Sequence, residues 1–410
     1  MGSPATPAMM ALPADIPSLA PDASAHRKFY TISASLRETY DDNVNTSMNG
    51  SKQASLETEL SPSILVNFPM ENSDFSARYT FDITYYSRNG PSNNVNNGTS
   101  TSGTSGSNTG SLEYTHEFNA QYTHSFSERF NLISAEDFRY FTEPSLYEST
   151  GTSYNDGTYV SNSLSASLSA QWTPLLGTTT TYANTIVKYE DTAVAAGQNN
   201  MENTGSQTFS FAVFPKISLN FGGIGDTITY DSVSRGYTSY TGFIGSQWQA
   251  LSSLSLSGRG GGTYTETGQS QAPATISPYG ALSIGWTLGA RSALSFSYTH
   301  EIAPTDQAGA NGQVSDQFSA NFKYDITPSL SSHLQGMFSK NTVSASLTNS
   351  GAGGAVSPDE NVYSIDTGLT YHYNNYLDFD FGISLSGVSS EISSEEYTRD
   401  EAYFGVRGTY

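Results

Sequence analysis

The sequence predicts an all-β fold, a transmembrane antiparallel up-and-down β-barrel of about 18 strands (16–20), with short periplasmic turns and long extracellular loops. Three observations predict it. Segments of roughly ten to fifteen residues alternate apolar and polar side chains with a period of two, the mark of a strand with unlike faces. Tight turns and long polar connections alternate between those segments, as they do across the two sides of a membrane barrel. The apolar fraction is only 36% although the chain carries 27 Tyr, 21 Phe and 3 Trp, which fits thin strands with an apolar skin better than a filled interior.

Residues 1–26 are Pro- and Ala-rich and form an expected flexible tail. They hold no basic start and no apolar core, so they are not an intact signal peptide, and a leader removed upstream is expected. Residues 27–410 form the expected barrel. The stretch "FSARYTFDITYY" sets Phe75, Ala77, Tyr79, Phe81, Ile83 and Tyr85 against Ser76, Arg78, Thr80, Asp82 and Thr84. "NSLSASLSAQW", "DQFSANFKYDI" and "NVYSIDTGLTYHY" repeat the design, and "YLDFDFGISLS" backs Leu377, Phe379, Phe381, Ile383 and Leu385 with Asp378, Asp380 and small residues. Tight turns are read at 68–74, 125–129, "GGIGD" (222–226), 173–177, 250–253, 288–291, 327–330 and 373–376. Longer loops are read at 41–52, 89–111, 144–157, 191–206, 267–275, 304–314, 348–360 and 388–398, with a shorter link near "SRGYTS". An even strand count sends both chain ends to the short-turn side. Neither face is clean over 129–141, 177–190 is ambiguous, and a change of apolar parity near Lys340 predicts a bulge.

These apolar rows need lipid on their other side. No segment has a helical period, so nothing is at hand to cover so many strands in water. Phe, Tyr and Leu mix with Ala and Gly on the apolar faces, and Tyr gathers near strand ends, as interfacial girdles require. In hydrocarbon every backbone amide must be paired, and closing the sheet pairs them all. No run of 18 apolar residues is present, so no membrane-crossing helix is expected.

Several function classes drop out. The net charge of −21 argues against nucleic acid as a partner. The absence of cysteine removes thiol catalysis and thiolate metal sites. The six histidines form no close ligand pair, and no G-x-S-x-G is present; no enzyme, cofactor or metal is expected. "YDDNVN" (Tyr40 to Asn45) gathers oxygen donors but lacks the spacing of a calcium loop, so an Asx turn is the better reading. The glycines of "GRGGGTYTETG" (258–268) lie within a strand, where they let the wall bend or a loop approach.

The end of the chain, "EAYFGVRGTY", places Phe404, Val406, Gly408 and Tyr410 on one face and finishes on an aromatic residue. It resembles the C-terminal β-signal by which outer-membrane barrels are handed to the barrel assembly machinery. "ASLRETYDDNVNTS", followed by hairpins such as "ITPSLSSHL" and "WTPLLGTTT", resembles the putative beta-barrel porin 2 group of Gram-negative outer-membrane proteins, over most of residues 28–410. The resemblance implies a barrel in the outer membrane without fixing a substrate, and some such barrels are associated with export of surface polysaccharide.

By alternation, the lumen-lining residues are Arg37, Glu57, Glu59, Arg78, Asp82, Arg88, Glu113, Glu117, Arg259, Lys323, Asp325, Asp366, Asp378, Asp380 and Arg407. Asp231, Glu301, Lys188, Lys216 and Arg235 are assigned inward on the same grounds, so that acids and bases nearly balance. About 18 strands enclose a lumen too wide for side chains alone to fill. The expected function is a porin-like channel for small polar solutes or ions with mild cation preference, its selectivity set by lumen charge and inward-folded loops. Loop 89–111 is the best candidate either to constrict the pore or to project from the cell, and its Asn, Gly and Ser content favours projection at least equally. The alternative is a scaffold or export barrel with a plugged lumen. Expected partners are outer-membrane lipid, the assembly machinery and small polar solutes, with further copies of the chain left open.

Overall fold

The computed structural model describes residues 29–88, 111–141, 146–147, 152–153, 158–231, 235–267, 274–305, 307, 310–343, 347, 359–391 and 396–410. The barrel strands in chain order are β1 (Tyr30–Asp41), β2 (Ser55–Pro69), β3 (Ser73–Tyr86), β4 (Ser111–Ser127) and β5 (Phe130–Phe141). After a two-residue hairpin of β6 (Leu146–Tyr147) and β7 (Thr152–Ser153) come β8 (Tyr159–Gln171), β9 (Leu176–Tyr189), β10 (Asn200–Phe214), β11 (Ile217–Tyr230) and β12 (Gly236–Leu251). The rest are β13 (Leu254–Thr267), β14 (Thr275–Thr287), β15 (Ser292–Ala303), β16 (Gln313–Thr327), β17 (Leu330–Thr342), β18 (Asp359–Asn374), β19 (Leu377–Ser390) and β20 (Tyr397–Thr409). Each pairs antiparallel with its neighbours in one 18-stranded sheet, and β1 pairs with β20 from Ser33↔Thr409 to Asp41↔Glu401. The sheet therefore closes on itself, and the wall has no free edge.

The alternation is realised as cross-strand ladders. Leu36 faces Leu60, Leu60 faces Ile83, and Ile83 faces Tyr114, so one apolar row runs around the outside. Such rows are open to the surroundings: Ile244 is 69% and Ile276 80% exposed. In water this much contiguous apolar surface would drive association, whereas acyl chains cover it without penalty. Trp172, Trp248 and Trp286 all stand exposed at the short-turn end, forming part of an interfacial girdle. No described helix is long and apolar enough to cross a membrane.

The three ambiguous segments resolve as strands β5, β9 and β17. Three expectations are corrected. "GGIGD" is not a turn: Gly222, Gly223 and Gly225 lie within β11, opposite Thr208, Gln207 and Gly205, and the turn is Pro215–Lys216. A Cβ on Gly222 would overlap the carbonyl of Gln207, so this glycine serves close strand approach and not chain reversal. No bulge occurs at Lys340, where β17 keeps register with both neighbours. The parity change arises because Val343, just past the strand, packs with Ala310 and Leu347. Finally, 191–206 is not all loop: a short helix, α1 (Thr192–Gln198), precedes β10. Two helical turns are too few for an apolar period to show in sequence.

Many of the buried apolar residues gather in four small clusters near the loop ends of the strands. They centre on Tyr230 and Tyr237, on Val362 and Val388, on Tyr159 and Tyr189, and on Ala310 and Leu347. The loop end is where the molecule has a packed interior.

Candidate functional site

The face opposite the apolar rows carries the charges, and register places them in three groups. The first spans β20, β1, β2, β3 and β4. The Arg37 guanidinium lies 4.7 Å over the Tyr403 ring. Glu59 accepts a 2.8 Å hydrogen bond from Ser61 Oγ. Asp82 stands within electrostatic reach of Glu59, Glu117 and Arg37, and Arg78 within reach of Glu117 and Arg407. Glu117 Oε1 is 3.7 Å from Arg139 Nε, and Glu113 is buried opposite Thr84.

The second group lies on β17, β18 and β19. His333 hydrogen-bonds Asp366 and His372 hydrogen-bonds Asp378, both at 2.7 Å. Asp380 accepts from Thr370 at 2.7 Å and lies 3.5 Å from Arg407, which joins this group to the first. Lys323 and Asp325 stand apart, exposed at the short-turn end of β16. Arg88 lies two residues beyond β3 and is exposed.

The third group includes two residues that the sequence reading missed. Glu202 on β10, Asp226 on β11 and Glu301 on β15 are within electrostatic reach of one another. The Arg259 guanidinium, 5.3 Å over the Phe243 ring, bears on Glu301, as does His300. Glu202 was hidden in a stretch read as loop and Asp226 in the supposed turn. Asp137 and Arg139, paired at 2.7 Å, were lost where neither face looked clean.

Four inward assignments are corrected: Lys188 and Asp231 pair with each other on the outer side, Asp231 lying just past β11, and Lys216 and Arg235 lie in connections and not on a strand face. Lys188 faces outward in register with Val160, and its ammonium donates to both carboxylate oxygens of Asp231 at 2.9 and 2.8 Å. Those bonds, with one from Asn199, hold the Asp231 carboxyl below the usual carboxylate range. Lys216 sits in the turn after β10. Arg235 lies in the β11–β12 connection, its guanidinium among loop carbonyls. With these three bases and Asp231 removed and the missed acids added, the inner face is acidic on balance and not neutral.

The "YDDN" motif forms the Asx turn, with the Asn43 amide donating to Asp41 Oδ1 at 2.7 Å. It also fastens the first strand to the last. Arg399 Nη2 meets Asp41 Oδ2 at 2.6 Å, the Asp400 amide donates to Asp42 Oδ1 at 2.8 Å, and Asn43 Nδ2 donates to the Thr398 carbonyl at 2.9 Å. Among the described residues no cluster of His, Cys, Asp and Glu has the arrangement of a metal site. His116 and His124 lie on the apolar face, stacked with Phe81 and Tyr122. Phe404 and Val406 face outward in register with Phe381 and Phe379, Gly408 with Leu377, and Tyr410 exchanges backbone hydrogen bonds with Ile32. The candidate constriction at 89–111 falls, but for Ser111, outside the described residues.

A closed wall, apolar without and charged within, defines an outer-membrane β-barrel of the porin class. The chain belongs to the putative beta-barrel porin 2 family, whose sequence pattern matches residues 30–410. No curated protein matches it. Among solved structures it is similar to Pseudomonas aeruginosa OpdK with vanillate, at 9% identity and a TM-score of 0.45 over 93% of this chain and 98% of that one. It is also similar to OccK2 (OpdF) of the same organism, at 11% identity and a TM-score of 0.45 over 93% and 97% of the two chains. For OprD of Pseudomonas aeruginosa the values are 12% identity, a TM-score of 0.43, and 95% and 96% coverage.

Proposed function

We propose that the protein is a passive outer-membrane channel for small polar solutes and ions, with a mild preference for cations. The charged inner faces of the strands line the path, and the observation that carries the preference is the acidic group Glu202, Asp226 and Glu301. These residues are half-buried, enclosed by protein on the inner face. A concentration of one charge sign in such a passage raises the local level of the opposite ion, and salt screens the effect. The aromatic-ended β20, with Phe404, Val406, Gly408 and Tyr410 outward, serves delivery by the barrel assembly machinery into outer-membrane lipid.

In a planar bilayer the refolded protein is expected to conduct in stable steps, with a reversal potential of cation-selective sign in a salt gradient. Replacing Glu202 and Glu301 by Gln and Asp226 by Asn should move that potential towards zero. A wild-type reversal potential near zero or of anion-selective sign would remove the cation preference. A second reading, a scaffold or export barrel with a blocked lumen, is favoured by the buried loop residues Thr305, Ala310 and Asn311 at the outer mouth. A folded barrel that stays silent in the bilayer would select it.

A further inference from the structure

We propose that Arg235 is a latch that holds the β15–β16 connection across the inner rim and so sets the size limit of the outer mouth. The inference rests on the channel reading only for its consequence, not for its geometry. Arg235 is 5% exposed, although it lies in a connection between strands. Its Nε donates to the carbonyl of Ala310 at 2.7 Å, and Nη2 donates to the carbonyl of Thr305. Nη1 donates to the carbonyl of Gly197 at the end of α1 and, at 3.3 Å, to Gln198 Oε1. The guanidinium also lies 3.8 Å over the ring of Tyr230, whose hydroxyl donates to the Thr305 carbonyl at 2.8 Å. One side chain thus ties together three connections, those of β9–β10, β11–β12 and β15–β16.

The ties span a gap. In the sheet β13 and β14 stand between β12 and β15, so the bonded loop leans past three inter-strand spacings, about 14 Å. It leans on the inner side, because Gly312 packs against the ring of Tyr237, which shares the inner face of β12 with Ser239. Burial agrees. Ser239, Thr263, Thr265 and Gln313 are 1–5% exposed, where small polar residues on a wide aqueous lumen would be wet. The loop residues Thr305, Ala310 and Asn311 are equally buried, at 0–2%.

The covered surface is polar. Thr265 Oγ1, Gln313 Nε2 and Asn311 Nδ2 are buried without a hydrogen-bond partner. Water reaches all three once the loop lifts, which offsets part of the cost of opening. The charged fork of Arg235 opposes opening with bonds to backbone carbonyls from three separate nitrogens, whereas lysine carries its three donors on one. Arg235 makes the largest share of these ties, joined by the Tyr230 hydroxyl on Thr305 and by the Gly236 amide, which donates to Asn311 Oδ1 at 3.2 Å.

The chain has no cysteine, so Thr265→Cys supplies a single thiol beneath the loop. We would compare its rate of modification by a water-soluble methanethiosulfonate in the refolded barrel with and without Arg235→Ala. The size limit would be read in parallel from exclusion of polyethylene glycols in bilayer recordings. Arg235→Ala should raise the labelling rate about tenfold or more, the effect of losing one or two net hydrogen bonds, and admit larger polymers. Arg235→Lys should fall between. Should Arg235→Ala fail to refold, Tyr230→Phe, which removes one bond to Thr305 and keeps the ring, should shift both readouts the same way by less. A folded variant with unchanged labelling overturns the latch even if the barrel conducts. Accelerated labelling in a silent barrel instead leaves the latch standing and sinks the channel reading.

Discussion

Replacing Arg399 by alanine is expected to destabilise the folded barrel by about 3–5 kcal/mol, more than replacing any one of the acids around it. Arg399 is 8% exposed and reaches Asp41 at 2.6 Å, Glu401 at 3.2 Å and Glu57 at 4.0 Å. Asp41 is fully buried, at 0% exposure. Losing the arginine leaves three carboxylates facing one another with their shared counter-charge gone, so each must be desolvated unpaired or take up a proton. Losing Asp41 leaves the arginine with two acids, a smaller disturbance. The order Arg399→Ala worse than Asp41→Ala is therefore the discriminating result. It would be read from urea midpoints in detergent micelles, with heat-modified gel mobility as the check of folding. Because the pair is buried, added salt should change the difference little. Equal midpoints for the two variants would mean that the cluster is not what secures the seam. The location makes the effect global: the cluster stands at one end of the β1–β20 seam, which runs from Ser33↔Thr409 to Asp41↔Glu401, and a barrel open at that seam has two edges.

Much of the architecture was legible because its cause is local. A period of two is written into each strand, so β3 and β19, whose alternation is clean, gave up their faces and their charges directly. Where the lining residues were missed, glycine or asparagine had blurred the pattern. Asp226 was lost because a glycine-rich strand and a glycine-rich turn have the same composition, and only the partner strand tells them apart. Glu202 follows a short helix and a run of Asn, and was taken for loop. The seam and the latch were out of reach for a different reason. Arg399 and Asp41 are 358 residues apart in the chain, and Arg235 and Ala310 are 75 apart. Such contacts are fixed by closure of the sheet and by loops leaning inward, neither of which leaves a periodic trace. "TYDDNV" stood out as a motif, but its work, fastening the first strand to the last, became visible only with β20 beside it.

Gly261→Ala and Gly242→Ala should act in opposite directions, although the two glycines sit on adjacent strands. Gly261 is paired with Phe243, and Gly242 with Gly262. A Cβ on Gly261 would overlap the Gly242 carbonyl and crowd Phe243 Cα at 2.9 Å. Those atoms are backbone, so no side chain can swing aside, and the strands must part or shift. The expected cost is about 1–3 kcal/mol, that of overpacking a fixed site. A Cβ on Gly242 points outward and meets nothing within 4 Å. Its backbone is not among the left-handed glycines, so alanine fits and chiefly restricts the unfolded chain, a gain of about 0.5–1 kcal/mol. Unfolding midpoints of the two variants under one condition decide the matter. A loss at Gly242 as large as at Gly261 would mean that glycine is required on both faces, and that the close approach of β12 and β13 is not the reason for Gly261. The expected difference places the constraint on the inner side. There the Phe243 ring covers Gly222 and the Arg259 guanidinium covers that ring, so the wall is most compressed beside the acids Glu202, Asp226 and Glu301. Glycine at 261 lets two strands approach closely enough to carry that stack while keeping their hydrogen bonds, and so shapes the inner face from behind its side chains.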